Sequence, residues 1–191
     1  MKSYFADLAA LASEAERTIG PAVARAAALV ADAALSGRTT LVFGNGGSAT
    51  QAQHFAAELV VRYRDDRRAL PAIALASDVS ILTACGNDYG YETVFSRQVE
   101  ALGRPGDVAV GLSTSGSSPN VLKALDTARS KGISTILMTG AKGRAEAQQW
   151  DVGLVVPSTE TAHVQELHLA AIHLICRHVD EELARRGPGA P

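Results

Sequence analysis

The deciding segment of this sequence is Thr39-Thr40-Leu41-Val42-Phe43-Gly44-Asn45-Gly46-Gly47-Ser48, in which a strand-like apolar run ends in a glycine-rich loop that leads into a helix-like stretch. The pattern recurs at Val108-Ala109-Val110-Gly111-Leu112, which is followed by Ser113-Thr114-Ser115-Gly116-Ser117-Ser118 and by Pro119. Ser118 and Pro119 suit the cap and the first position of a helix. One such loop is compatible with simple capping, whereas two equivalent loops after two equivalent strands favour a binding site.

Both loops have the composition of an anion site. A helix N-terminus offers unpaired backbone N–H groups and a partial positive charge, so serine hydroxyls and glycine backbone placed there can hold a phosphate. Neither loop contains the lysine of a Walker motif. The sequence therefore predicts a phosphate that is bound by hydroxyl and backbone groups alone.

The order of apolar patterns predicts the fold class. Helical spacing predicts two helices before the first strand, one on each side of Gly20-Pro21. Strands are predicted near residues 39–43, 72–74, 108–112, 134–138 and 152–155, and helices near 48–61, 80–84, 91–102, 119–130, 144–149 and 161–184. Continuous apolar strands between helices predict an α/β fold, with a doubly wound, mainly parallel five-stranded sheet in three layers and helices on both faces. Ligands of such sheets bind at the carboxyl ends of the strands, where both loops fall.

Length and charge narrow the function classes. The 191 residues suit a single domain over 1–191, with a helical segment at 1–36 and a polar, flexible tail at 185–191. A net charge of −2 provides no positive electrostatic potential that would attract nucleic acid or an anionic membrane surface. No apolar run is expected to reach membrane-spanning length. Cys85 and Cys176 lie far apart without metal-ligand spacing, which predicts reduced thiols in a cytoplasmic protein.

A polar stripe follows the first loop. His54, Glu58 and Arg62 stand at i, i+4 and i+8 of the predicted helix and therefore share one face. Imidazole and carboxylate one turn apart can share a divalent metal. Spacing alone also allows a solvated helix face with intrahelical pairing.

The last long helix carries four more polar residues, Gln165, Glu166, His168 and His173. At 100° per residue Gln165 and His168 differ by about 60°, whereas His168 and His173 are about 140° apart and cannot both face one site. Spacing favours His168 as the partner of Gln165, because His173 lies about 12 Å from Gln165 along the helix axis. The alternative is one core histidine and one surface histidine.

Two further motifs are weaker. Gly86-Asn87-Asp88-Tyr89-Gly90 predicts a loop in which Asp88 could accept hydrogen bonds from sugar hydroxyls, or else a plain turn. Residues 44–49 also match a G-x-G-x-x-A dinucleotide fingerprint. That interpretation needs an acidic residue at the end of the second strand, and Asp65 and Asp66 precede that strand instead.

These residues together resemble the SIS-domain (sugar isomerase) family and, within it, the phosphoheptose isomerases. The likeness covers nearly the whole chain as short blocks in the same order. The blocks are Gly44–Ser48, Ala52–Glu58, Leu70–Ala74, Gly86–Gly90, Phe95–Gln98, Ser113–Gly116 and Val164–His168.

The resemblance implies an assembly and a site. It implies a homotetramer with active sites between subunits, in which the N-terminal segment takes part. It implies zinc held by His54, Glu58, Gln165 and His173, with Glu58 and His173 as the acid/base pair, so it favours His173 over His168. The substrate contacts that it implies are Asn45, Gly46, Gly47, Ser48, Arg62, Asp88, Ser113, Thr114, Ser115, Ser118 and Gln165.

The implied activity is an aldose-ketose isomerisation, which converts sedoheptulose 7-phosphate to D-glycero-D-manno-heptose 7-phosphate through an enediol. Two alternatives remain: isomerisation of another phosphosugar, and a non-enzymatic adaptor of the same family that binds the bacterial replication initiator. That adaptor lacks the counterparts of Glu58 and His173, which this chain keeps.

His163 stands where relatives commonly carry Arg or Lys, which makes a positive charge there pH-dependent.

Overall fold

The structure, a computed structural model, describes residues 3–186. Its helices are α1 (Tyr4–Leu35), α2 (Gly47–Val60), α3 (Val79–Tyr89), α4 (Ser96–Leu102), α5 (Pro119–Ser130), α6 (Arg144–Ala147) and α7 (Thr161–Arg186). Its strands are β1 (Thr40–Gly44), β2 (Ala72–Ala74), β3 (Val108–Ser113), β4 (Ser134–Gly140) and β5 (Val152–Val156). Of the predicted tail 185–191, residues 187–191 lie outside the described residues, and α7 itself continues through Arg186.

The five strands form one all-parallel sheet in the order β2-β1-β3-β4-β5. This arrangement confirms the predicted doubly wound α/β fold. The chain order reverses between β1 and β3, where Gly44 lies opposite Leu112. Such a switch point is where parallel sheets bind ligands, and both polar loops begin there.

The sheet lies between two separate apolar layers. Val42 and Val110 pack with α1, α2 and α7 on one face, whereas Leu41 and Ala109 pack with α4 and α5 on the other. The residues of β1 and β3 are buried on both faces, which is why these strands are continuous apolar runs in the sequence.

The N-terminal segment is one helix, so the prediction of two helices is wrong. Pro21 lies inside the 32-residue α1. The buried face continues across the proline, from Ala15 and Ile19 to Ala22 and Val23, and α1 packs along α7. Apolar packing on both sides of Pro21 outweighs the intrahelical hydrogen bond that proline removes.

By length and composition α1 could also cross a membrane, contrary to the expectation from the sequence. Its most apolar 18-residue window has a mean hydropathy of 1.3, and 56% of that window is buried inside the fold. A buried share of this size is typical of a core helix.

The predicted loop at Gly86–Gly90 is instead the last turn of α3. Asp78 caps the helix by accepting a hydrogen bond from the Ile81 N–H group at 3.0 Å. Gly90, with φ of 89°, ends the helix in a conformation that favours glycine. Asp88 is therefore an exposed helical residue rather than a loop residue.

Candidate active site at the carboxyl ends of β1 and β3

The first polar loop is closely packed at both of its ends. A Cβ atom added to Gly44 would lie 2.8 Å from the Leu112 carbonyl oxygen and 2.9 Å from the Ser48 Cβ atom. Gly46, with φ of 55°, forms the N-cap of α2. A Cβ atom added to Gly47 would lie 2.6 Å from the Gln165 Nε2 atom. The start of α2 thus lies directly against the Gln165 side chain.

The second loop brings three serine hydroxyls together at the start of α5. The Ser113 Oγ atom lies 2.9 Å from the Ser118 Oγ atom and 3.5 Å from the Ser115 Oγ atom. Ser118 occupies the N-cap of α5 without a side-chain capping hydrogen bond, because its hydroxyl faces Ser113. Simple capping therefore does not account for this serine, and the arrangement suits an oxyanion.

The turn of this loop requires a glycine. Gly116 has φ of 74°, and an added Cβ atom would lie 2.3 Å from the Gly143 Cα atom. Beside it, the backbone N–H and the hydroxyl of Ser117 both donate to the Ser115 Oγ atom, at 3.2 and 3.0 Å. The half-buried Thr114 accepts a hydrogen bond from the Gly140 N–H group through its carbonyl oxygen at 3.1 Å.

A reciprocal amide pair joins the first loop to the start of α5. The Asn45 Nδ2 atom donates to the Asn120 Oδ1 atom at 2.9 Å, and the Asn120 Nδ2 atom donates to the Asn45 Oδ1 atom at 2.9 Å. The Tyr91 hydroxyl also donates to the Asn45 Oδ1 atom at 3.1 Å. Asn45 therefore fixes the first loop relative to the start of α5, and this pair uses only one of its two Nδ2 hydrogens.

Three potential metal ligands converge where α2 packs against α7. The His54 Nε2 atom lies 3.0 Å from the His173 Nε2 atom and 3.4 Å from the Glu58 Oε1 atom. One ligand atom from each residue lies within 4.8 Å of the others. The Tyr63 ring stacks on the His173 ring with centroids 5.6 Å apart, which restricts the orientation of the imidazole.

The donor set fits a tetrahedral ion. Ligand atoms 2.0–2.1 Å from a tetrahedral zinc ion are separated from one another by about 3.3 Å. The separations of 3.0 and 3.4 Å at His54 are close to that value. Among the residues that the structure describes, the buried Glu58 Oε2 atom has no hydrogen-bond partner, so the carboxylate retains an unused acceptor.

His168 does not belong to this cluster. The side chain is fully buried, and burial lowers its pKa to about 4. Helical spacing favoured His168, but within the described residues it is His173 that lies with His54 and Glu58. Spacing along α7 cannot show where α2 crosses it, and that crossing brings His173 to His54.

The outlying sequence-predicted residues make other contacts. The Arg62 Nη1 atom donates to the Arg64 carbonyl oxygen at 3.0 Å, just beyond the end of α2. The Asp88 Oδ1 atom accepts from the Asn87 Nδ2 atom at 2.8 Å. Within residues 3–186 neither side chain forms a hydrogen bond or an ion pair with the histidine cluster or the serine loop.

His163 takes part in a contact between the first turns of α1 and α7. Its Nδ1 atom lies 2.9 Å from the Glu166 Oε2 atom, and the Tyr4 hydroxyl donates to the Glu166 Oε1 atom at 2.8 Å. The hydrogen bond with His163 lowers the pKa of Glu166. His163 thus pairs with an acidic residue of its own helix.

Several supporting residues were missed from the sequence, among them Gln51, Arg67 and Asp180. The Gln51 Nε2 atom donates to the Gln165 carbonyl oxygen at 2.6 Å, and Arg67 pairs with Asp180. Gln51 stands three residues before His54, so helical spacing places both on one face and could have indicated it. Arg67 and Asp180 are 113 residues apart, and no local pattern links them.

The comparisons with known proteins agree on one family. The model of the SIS domain matches residues 3–140. A phosphoheptose isomerase from Citrifermentans bemidjiense is 53% identical over 169 residues, which cover 88% of each chain. The chain belongs to the SIS-domain family of phosphoheptose isomerases.

Solved structures of phosphoheptose isomerases extend the likeness to three dimensions. The structure from Neisseria gonorrhoeae has a TM-score of 0.88 at 43% identity and covers 93% of this chain and 95% of its own. The structure from Francisella tularensis has a TM-score of 0.89 at 37% identity, with the same coverage of 93% and 95%. Family membership confirms the resemblance that the sequence blocks indicated, and it does not favour the dinucleotide-binding interpretation.

Proposed function

We propose that this protein is an aldose-ketose isomerase that converts sedoheptulose 7-phosphate to D-glycero-D-manno-heptose 7-phosphate. One observation carries the proposal: α2 connects the two parts of the site. Its start lies next to the serine loop after β3, and its later turns carry His54 and Glu58 of the metal cluster. A phosphate site and a metal and proton-transfer site are the two parts that this reaction needs. Close identity to phosphoheptose isomerases over most of the chain supports the same activity.

The phosphate is proposed to bind at the second loop. Hydroxyls of Ser113, Ser115 and Ser118 converge within hydrogen-bonding distance of one another at the N-terminus of α5. Thr114 lies in the same loop, and Ser48, Gly46 and Gly47 are proposed to line the facing side at the start of α2. Binding the phosphate here would hold the rest of the sugar in a fixed orientation.

The reaction moves protons between two neighbouring carbons. A proton is taken from C1 of the ketose, which gives an enediol across C1 and C2. A proton is then returned to C2, and the hydroxyl proton on O1 moves to O2, which leaves the aldehyde at C1. Glu58 and His173 are the proposed bases because they meet between α2 and α7. The unpartnered Glu58 Oε2 atom is available for a proton while Oε1 faces His54.

The metal is proposed to be zinc. Two imidazole nitrogens and a carboxylate oxygen are zinc donors, and the Gln165 side chain, which contacts Gly47, is the proposed fourth ligand. When bound, zinc would polarise the two substrate oxygens that exchange a proton. His54, Glu58, Gln165 and His173 would hold it.

The proposed assembly is a homotetramer with active sites between subunits, in the cytoplasm. A groove of about 550 Å³ runs between α1 and α7, and its lining includes Ile19, Val23 and Leu174. Leu174 is 42% exposed in the single chain. An apolar groove along α1 supports a role of residues 1–36 in assembly. Both cysteines are free and buried, which supports a reducing compartment.

The direct test is incubation of the purified protein with sedoheptulose 7-phosphate and with a panel of shorter ketose phosphates. Formation of the aldose phosphate from the heptulose, with lower kcat/KM for the others, is the expected result. A Glu58→Gln variant is the matched control for contaminating isomerases. A higher kcat/KM for a shorter sugar would reassign the substrate, and tight binding of the replication initiator without turnover would support the adaptor alternative.

A further inference from the structure

A buried ion pair joins the end of α2 to α7. The Arg67 Nε atom donates to the Asp180 Oδ1 atom at 2.7 Å, and the two side chains are only 8% and 4% exposed. The Asp180 Oδ2 atom also accepts from the Arg64 N–H group at 3.3 Å. Asp180 thus binds both the guanidinium and the backbone of the segment that follows α2.

The other donors of Arg67 bind main-chain carbonyl groups. The Nη2 atom donates to the Glu58 carbonyl oxygen at 2.7 Å, and the Nη1 atom donates to the carbonyl oxygens of Leu59 and Arg68 at 2.9 and 3.0 Å. The carbonyls of the last helical turn have no intrahelical partner, and a positive charge is favourable there. Arg67 therefore caps the C-terminus of α2 at the residue that supplies the proposed base.

Asp180 lies on the same side of α7 as His173. The two residues are seven positions apart, which corresponds to a rotation of about 20° on a helix. Glu58 and His173 belong to the metal cluster, and the ion pair joins the backbone of one to the helix of the other. The ion pair and the metal cluster therefore both join α2 to α7.

Stability alone does not account for this pair. Burying two charges is costly, and replacing a buried ion pair by apolar residues of similar size is often neutral or stabilising. The planar fork of arginine binds a carboxylate and several carbonyls at fixed angles, which an apolar pair cannot do. The hydrogen bonds of Arg67 and Asp180 therefore fix the backbone at the end of α2 relative to α7.

We propose that Arg67 and Asp180 are positioning residues of the isomerase site, which fix the Glu58 backbone relative to His173. This inference rests on the proposed function. Loss of the pair should lower kcat and zinc affinity, each by roughly 10- to 100-fold, as is usual for residues that orient metal ligands. KM for the phosphosugar should stay within about twofold, because the serine loop lies on β3 and α5.

The test compares two variants with the unaltered protein. In the double variant Arg67→Met/Asp180→Leu no buried charge is left unpaired, so it should fold, with its melting temperature lowered only by the loss of the backbone hydrogen bonds that the pair makes. Arg67→Lys keeps the positive charge for Asp180 but lacks the fork that binds the Glu58 carbonyl. The readouts are kcat, KM, melting temperature and zinc affinity measured by competition with a chromogenic chelator.

The control is Asp107→Asn, at another buried carboxylate. Asp107 is 3% exposed and accepts the N–H groups of Thr39 and Arg104 at 2.9 and 2.7 Å, at the opposite end of the sheet. It should lower the melting temperature and leave kcat and zinc affinity unchanged. Wild-type kcat and zinc affinity in either folded Arg67 variant would overturn the positioning role. An unaltered protein without isomerase activity would instead overturn the proposed function.

Discussion

The Nε2 atom of His54 lies 3.0 Å from the Nε2 atom of His173, although the two residues are 119 positions apart in the chain. The Glu58 carboxylate lies 3.4 Å from the His54 nitrogen, and ligand atoms of all three residues lie within 4.8 Å of one another. Three lone-pair donors at these separations share either a proton or a cation. The packing of α2 against α7 thus creates a centre that neither helix contains alone.

Replacing His173 should abolish most of the activity. His173→Ala removes one base and one proposed metal ligand, and loss of a general base typically costs 10²- to 10⁴-fold in rate. We expect kcat to fall by at least 10²-fold and the zinc content of the purified protein to fall with it. Steady-state kinetics and metal analysis of the same preparation measure both effects.

His168→Gln is the matched control for that variant. His168 is fully buried outside the cluster, so the substitution should lower the free energy of unfolding and leave zinc stoichiometry unchanged. An active, zinc-replete His173→Ala protein, or zinc loss confined to His168→Gln, would contradict the assignment of His173.

Removal of the metal should stop catalysis without unfolding the protein. The fold has two apolar layers around a five-stranded sheet and does not depend on an ion for its core. After chelation we expect an unchanged far-ultraviolet circular dichroism spectrum, loss of activity, and recovery on addition of zinc. Full turnover by metal-depleted protein would show that Glu58 and His173 act without an ion.

Ser115 should contribute mainly to substrate affinity. Ser115 is exposed, and its hydroxyl accepts two hydrogen bonds from Ser117 and lies 3.5 Å from the Ser113 Oγ atom. Losing a donor to a phosphate costs roughly 1.5 to 3 kcal/mol, so Ser115→Ala should raise KM by about 10- to 150-fold. Ser130→Ala, at the far end of α5, is the control and should leave KM unchanged. Equal KM values for the two variants would exclude Ser115 from the phosphate site.

The sheet and its two loops were predictable because the determining interactions are local or repeat along the chain. The apolar runs of β1 and β3 are continuous since both faces of the sheet are covered, and Pro119 marks the start of α5. The continuity of α1 was not predictable from local rules. Proline at position 21 normally ends a helix, and only the packing of α1 along α7 keeps it intact.

The site was predictable only in part, because it too depends on how distant helices pack against each other. Spacing within α2 placed His54 and Glu58 on one face, but the choice between His168 and His173 depends on how α7 crosses α2. The resemblance to a known family supplied His173, and helix periodicity did not. Asn120 gave no signal, because its role depends on the approach of the first loop to the start of α5 through Asn45.

Stability should fall in weak acid because His168 is buried in its neutral form. Burial lowers its pKa from the ordinary value of 6.5 to about 4, so between these values the unfolded chain binds a proton that the folded chain does not. The part of the unfolding free energy that depends on neutral His168 is therefore fully present above pH 6.5 and is lost as the pH falls to 4. A shift of this size corresponds to roughly 3 kcal/mol.

The experiment compares urea unfolding of the unaltered protein and of His168→Gln at a series of pH values from 7.5 to 4. Glutamine does not titrate, so the difference in unfolding free energy between the two proteins isolates the histidine from every other ionisable group. We expect the unaltered protein to lose stability relative to the variant as the pH falls below 6.5. Parallel curves over the whole range would mean that His168 is protonated equally in the folded and unfolded chain, and its burial would then carry no electrostatic cost.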